Sequence, residues 1–311
     1  MKYSDVAGCK ISKMSLGTVQ FGLHYGIAND TGKPAEDQSH GMIETALDLG
    51  ITSIDTARAY GDSEDIIGRY FKKSEKELPF ISTKVAIEDD VDPKNYEAHI
   101  IESVETSLEK LGVNKVNNIM LHDSQWLFEY GGRLSQYFGD LIKRGYCDMV
   151  GVSMYSGADI DKMLEYDVFT STQIPLSIFD QRLINSGHTK KLYERNITMF
   201  VRSVFLQGLF FLEPGKITDP ILAKHALPRI LKLHELCEKE GLTIAEMAIT
   251  FLRDMPGVTS LVLGADNSEQ IKSNIHYFDA HPLSEETTDI LKKTFADVNI
   301  PEIMKVLSRP K

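Results

Sequence analysis

The chain has 311 residues, 42% of them hydrophobic and 25% charged, the composition of a globular protein with ample core. Its 34 Lys and Arg against 45 Asp and Glu leave a net charge of −11, which argues against gripping nucleic-acid phosphates or docking on anionic lipid. Three scattered cysteines (Cys9, Cys147 and Cys237), a start without an apolar leader segment and no long apolar run predict a cytoplasmic protein.

Along the chain, short β-branched runs alternate with amphipathic helices. Residues 14–17 read as a first strand. Pro34 marks a helix start, and the segment with Ile43, Ala46 and Leu47 ends at Gly50. Strands are expected at 53–55 and 80–84. Ile101, Val104, Leu108 and Leu111 then step by three, four and three residues, and Gly112 stops that helix. A strand at 118–122 precedes a helix carrying Leu134, Phe138 and Leu141 before Gly145. Strands follow at 149–153, 172–174 and 199–202, then an apolar stripe of Ile244, Met247, Ala248 and Phe251, a strand at 261–263 and a helix at 285–295. About eight strands, each followed by a crossover, favour a closed (β/α)8 TIM barrel over an open doubly wound sheet. The first turn also lacks the G-x-G-x-x-G of a dinucleotide-binding sheet. The expectation is a single domain over residues 1–311, with a short N-terminal extension and additional C-terminal helices.

In such a barrel the C-terminal strand ends line the active site. Those ends offer Asp55, then Tyr60 in the loop beyond, Lys84 and His122. A phenol near pKa 10 is a poor acid at neutral pH unless a neighbouring cation stabilises its phenolate. Lys84, held by Asp55, can supply that cation, and His122 can hydrogen-bond and orient a carbonyl oxygen. Each residue alone also has a plain structural reading: Asp55 as a cap, Tyr60 as a packing aromatic, Lys84 as a rim lysine, His122 as a satisfied polar group. Four of them at consecutive strand ends make coincidence the poorer account.

Residues 50–64, GITSIDTARAYGDSE, resemble the signature of the aldo-keto reductases, and the resemblance extends from Leu16 to Asn274. It implies that Asp55 and Tyr60, Lys84 in ISTKV and His122 in IMLHD form the catalytic tetrad, with Tyr60 as proton donor. It further implies a nicotinamide nucleotide lying extended across the barrel mouth. Gly17, Thr18 and Asp55 correspond to positions beside the nicotinamide, and Ser153 and Gln173 to its carboxamide partners. Met154 stands where an amide is usual, and Arg202 where many relatives place an aromatic. Ser203, Leu206, Gln207 and Gly208 match the pyrophosphate loop. The adenosine end is expected at Gly264, Asp266, Gln270 and Asn274, with a helix that starts after Gly264 and presents free N–H groups. Family habit implies NADP as cofactor. Asp266, where many NADP-preferring relatives carry Arg or Lys, leans toward NAD unless Lys272 compensates.

For the substrate, His24, Tyr25 and Trp126 are candidate pocket residues beside Tyr60 and His122; a surface loop for the first two and plain packing for Trp126 remain open. Residues 300–311 either cover the mouth or fray. The implied function is an oxidoreductase interconverting an aldehyde or ketone, sugar carbonyls included, with an alcohol. Its partner would be that small carbonyl compound, with neither nucleic acid nor membrane. A nucleotide-binding regulatory barrel with little turnover is the alternative. A metal-dependent barrel hydrolase would need clustered ligands such as His-x-His at a strand end, and the sequence has none.

Overall fold

The computed structural model describes residues 1–309. The chain opens with an antiparallel hairpin of β1 (Tyr3–Val6) and β2 (Cys9–Ser12). Its two-residue turn holds Ala7 and Gly8 at φ 48° and 81°, the left-handed pair that a tight hairpin needs. This hairpin is the N-terminal extension. Its alternation is diluted by Ala7-Gly8-Cys9, so no strand period marks it in the sequence.

Eight parallel strands then close into a barrel: β3 (Met14–Gly17), β4 (Ser53–Asp55), β5 (Phe80–Val85), β6 (Val116–Leu121), β7 (Cys147–Ser153), β8 (Phe169–Pro175), β9 (Thr198–Arg202) and β10 (Val258–Leu263). β10 pairs back onto β3, so no strand of the barrel has a free edge. The fold is a (β/α)8 barrel. Several strands run longer than their apolar cores suggested, and β6 stops at Leu121, leaving His122 just beyond it. Strands buried on both faces lack the alternation that marks boundaries.

The helices cover the outside. Tyr96–Leu111 buries Ile100, Val104, Leu108 and Leu111, and Gly112 caps it at φ 68°. The inward position is therefore Ile100 rather than Ile101, one full turn before Val104. Inside the barrel, Ser15 Oγ lies 2.6 Å from Ser53 Oγ and 2.7 Å from Ser260 Oγ, and Asn118 links Ser82 to Ser171. These buried polar groups satisfy one another, which removes most of their desolvation cost. The added C-terminal helices are Glu285–Phe295 and Ile300–Leu307. The second packs on the helix Pro220–His225, and Arg309 pairs with Asp219 at 2.7 Å. Within the tail expected at 300–311, Pro310 and Lys311 lie outside the described residues. No described helix is long and apolar enough to cross a membrane.

Candidate active site

Parallel pairing puts Asp55 and Lys84 at neighbouring strand ends, and the turn after β4 brings Tyr60 over both. Lys84 Nζ donates to Asp55 Oδ1 and Oδ2 at 2.7 and 2.8 Å and to the Thr56 carbonyl at 2.9 Å. The side chain is 0% exposed. The same nitrogen sits 5.0 Å from the centroid of the Tyr60 ring. His122 closes the group from β6, its ring edge-on to Tyr60 with centroids 5.9 Å apart.

The Tyr60 loop is held by a close backbone approach. A Cβ on Gly22 would fall 1.7 Å from the Tyr60 carbonyl oxygen, so only glycine fits there. Ser63 Oγ reaches back 2.8 Å to Thr18 Oγ1, and the Thr18 hydroxyl and N–H both reach the Asp55 carbonyl. The loops after β3 and β4 are therefore one unit.

Electrostatics in the group are strongly coupled. Burial works against the charge on Lys84, but Asp55 and Tyr60 more than offset it and its pKa is raised. Burial raises the Tyr60 phenol, with the charge of Lys84 pulling the other way. Burial, then Lys84 and Arg202, push the His122 imidazole down to about 4, which leaves it neutral at pH 7.

Beside this cluster runs a cavity of about 480 Å³ across the ends of β3, β9 and β10. Of the residues proposed for cofactor binding, Gly17, Thr18, Asp55, Gln173, Arg202, Ser203, Gln207, Gly208, Gly264, Asp266, Gln270 and Asn274 line it, together with Tyr60 and Tyr25. Gln173 Nε2 donates to Asp55 Oδ1 at 2.7 Å, which ties the cavity wall to the Lys84 pair. Ser153 and Leu206 are buried and do not line it. Met154 is buried too, and its carbonyl receives Arg202 Nη2 at 3.4 Å. Arg202 stacks on Tyr155, with the guanidinium carbon 4.4 Å from the ring centroid.

Two sequence expectations need correction at the far end of the cavity. The helix expected after Gly264 runs from Ser268, but its first N–H groups are not all free: Asn267 caps it, its Oδ1 accepting from the Gln270 N–H. The Asp266 N–H is likewise taken by Gln270 Oε1 at 2.7 Å, so these two groups are not free for a phosphate. Lys272 pairs with Glu269 at 2.7 Å on the surface and does not compensate Asp266. Instead Asp266 Oδ1 accepts from Asn29, a residue that the sequence reading missed because no motif or period marks it.

The pocket candidates divide. Tyr25 lines the cavity, whereas His24 is exposed and contacts the Asn29 carbonyl at 3.1 Å. Trp126 packs edge-on against Tyr96, with Tyr130 alongside. Gln20, also missed, lines the cavity with a buried Oε1 that has no partner among the described residues. The ends of β3 and β10 approach so closely that a Cβ on Gly17 would stand 3.1 Å from Val262 and 3.3 Å from the Gly264 nitrogen. A long groove floored by glycines, with an unsatisfied acceptor, suits an extended nucleotide. No group of acidic, His and Cys residues able to hold a metal occurs among the described residues.

A (β/α)8 barrel with a buried Lys–Asp pair beneath a tyrosine, beside a glycine-floored groove, defines a barrel oxidoreductase. Residues 13–295 match the Aldo/keto reductase family, and the chain belongs to that family. It is 26% identical to "Aldo-keto reductase YhdN" of Bacillus subtilis (strain 168) over 339 aligned residues, covering 98% of each chain. It is 25% identical to "L-glyceraldehyde 3-phosphate reductase" of Escherichia coli (strain K12), over 88% of this chain and 86% of that one. Among solved structures, the holo form of aldo-keto reductase AKR11C1 from Bacillus halodurans shares the fold, with TM-score 0.80 and 22% identity over 94% of this chain and 96% of that one.

Proposed function

We propose that this chain interconverts an aldehyde or ketone and an alcohol with a nicotinamide cofactor, Tyr60 exchanging the proton. The observation that carries the reading is the fully buried Lys84 ammonium, 5.0 Å from the Tyr60 ring and braced by both oxygens of Asp55. When bound, the cofactor supplies or accepts hydride at the carbonyl carbon. Gly17, Gln173 and Arg202 would hold its nicotinamide end, Ser203, Gln207 and Gly208 its pyrophosphate, and Gly264, Asp266, Gln270 and Asn274 its adenosine end.

The chain's own groups do the rest. Neutral His122 can donate an N–H to the carbonyl oxygen and orient it beside the Tyr60 hydroxyl. In reduction Tyr60 releases its proton to that oxygen, and Lys84 stabilises the phenolate left behind. Asp55 keeps Lys84 charged and fixed, so the site need not reorganise as the charge develops.

NAD is the better match for the adenosine end. Asp266 is pinned by Asn29, and Arg202, at the other end, is the only Lys or Arg lining the cavity among the described residues. A 2′-phosphate would meet a carboxylate there, whereas a free ribose hydroxyl could donate to it. A 25%-identical relative is named for reducing a phosphorylated aldehyde, so small phosphorylated and sugar-derived carbonyls belong in the first substrate set. We read the chain as a single-domain cytoplasmic enzyme. The test is turnover of nitrobenzaldehyde and of such a panel with NADH and with NADPH. No turnover with either nucleotide would remove the enzymatic reading and leave a nucleotide-binding barrel.

A further inference from the structure

We propose that Arg202 sets the redox form of the cofactor that the site holds, favouring the neutral reduced nicotinamide over the cationic oxidised one. This rests on the nicotinamide-dependent reading above.

Arg202 ends β9 and lines the cavity with Asp55, Tyr60 and Gln173. Its contacts are all to uncharged groups: Ser203 Oγ at 3.3 Å from Nη1, the Met154 carbonyl at 3.4 Å from Nη2, and the face of Tyr155. No carboxylate among the described residues pairs with it. The other cation nearby, Lys84, is cancelled by Asp55 at 2.7 Å. The active end of the cavity therefore carries one uncompensated positive charge. Its field reaches the reacting groups, because it helps push down His122 and opposes the rise of Tyr60.

Hydride transfer requires the donor carbon and the carbonyl carbon within roughly 3–3.5 Å of each other. The carbonyl oxygen must also reach Tyr60. The nicotinamide ring is thereby confined to the space that Tyr60 and Arg202 both border. A ring that is neutral when reduced and carries a unit positive charge when oxidised then senses Arg202 in only one of its states. The difference in affinity is a shift in the potential of the bound couple, by the usual linkage between binding and redox state. Tighter holding of the reduced form would raise the potential of the bound couple, making the bound nucleotide a milder hydride donor, and would ease release of the oxidised form after reduction. The Tyr155 ring, 4.4 Å from the guanidinium carbon, adds a cation–π contact that restrains the side chain.

The test is titration of NAD⁺, NADH, NADP⁺ and NADPH by calorimetry in the full chain, with no turnover required. Wild type is expected to bind the reduced form of its preferred pair at least tenfold more tightly, equivalent to about 30 mV in a two-electron couple. Arg202→Gln should cut that ratio at least fivefold, chiefly by tightening the oxidised form, and Arg202→Lys should restore it. A wild-type ratio near one, or the same ratio in Arg202→Gln, overturns the proposal while nicotinamide dependence stands. So does loss of affinity for an anionic aldehyde alone, which would make Arg202 a substrate anchor. If no nucleotide binds to wild type, the nicotinamide-dependent reading falls and takes this proposal with it.

Discussion

Asn29 donates from its amide nitrogen to Asp266 Oδ1 across 3.1 Å, joining the loop after β3 to the loop after β10 over a separation of 237 residues. The same side chain is fixed at its other end, where Oδ1 accepts from the N–H groups of Thr31 and Gly32 at 3.0 and 2.8 Å. Gln270 Nε2 approaches the second Asp266 oxygen at 3.4 Å. The carboxylate is held between two loops at the end of the groove proposed for the adenosine, so rotating it away costs hydrogen bonds at both.

Asp266→Arg is therefore expected to shift preference from NADH toward NADPH by tenfold or more, about 1.4 kcal/mol. Titrating both nucleotides into wild type and variant checks it. A wild type that already strongly prefers NADPH, with no change in the variant, would show that Asp266 does not face the ribose.

Tyr60→Phe should lower carbonyl reduction by 10²-fold or more, with nucleotide affinity within a few-fold of wild type. Lys84→Met should be comparably slow, and it also leaves Asp55 buried without its cation, so it should unfold at lower temperature. Measuring kcat and Kd separately distinguishes loss of the acid from loss of the binding site. Near-normal turnover in a folded Tyr60→Phe variant would assign the proton to another group.

The two directions should respond oppositely to pH. Burial raises the Tyr60 pKa, so the phenol stays protonated through neutrality and reduction should run flat across neutral pH. Alcohol oxidation needs the phenolate and should climb with pH, close to tenfold per unit, into the alkaline range. An oxidation rate independent of pH between 7 and 9 would count against Tyr60 as the titrating group.

His122 is expected to make the fold acid-sensitive. Its folded pKa of about 4 lies below the usual 6.5, so the folded state binds fewer protons than the unfolded one between those values. Stability is complete above pH 6.5 and falls as pH drops toward 4, by about 3 kcal/mol at most. His122→Gln should remove that part of the acid loss, read as a smaller drop in Tm between pH 7 and 5. An identical drop in both proteins would mean that the imidazole is not desolvated.

Gly22→Ala should disturb the Tyr60 loop without touching the side chains of Tyr60, Lys84, Asp55 or His122. The added methyl would meet the Tyr60 carbonyl at 1.7 Å, and backbone cannot yield as a flexible side chain can. Overpacking of this kind costs roughly 1–3 kcal/mol. We expect a lowered Tm together with a reduced kcat; a change in neither would show that the loop has room.

The barrel and the side chains that gather at its rim were legible in the sequence because both rest on local information. The apolar steps Val104, Leu108 and Leu111 before Gly112 announce a helix, β-branched runs at fixed alternation announce parallel strands, and the residues that end those strands necessarily share one rim. Asp55, Lys84 and Tyr60 could thus be grouped before any distance was known. What depended on packing between distant loops was not legible. That Asn267 caps the last barrel helix and takes its Gln270 N–H, that Lys272 is spent on Glu269, and that Asn29 grips Asp266 all follow from local loop and cap conformations. Such conformations are set by backbone turns and single hydrogen bonds, each contributing only about 1 kcal/mol and leaving no period in the chain. The sequence alone therefore determined the scaffold and which side chains gather at its rim, while the tertiary structure decided what surrounds the groove and which of its polar groups are already paired.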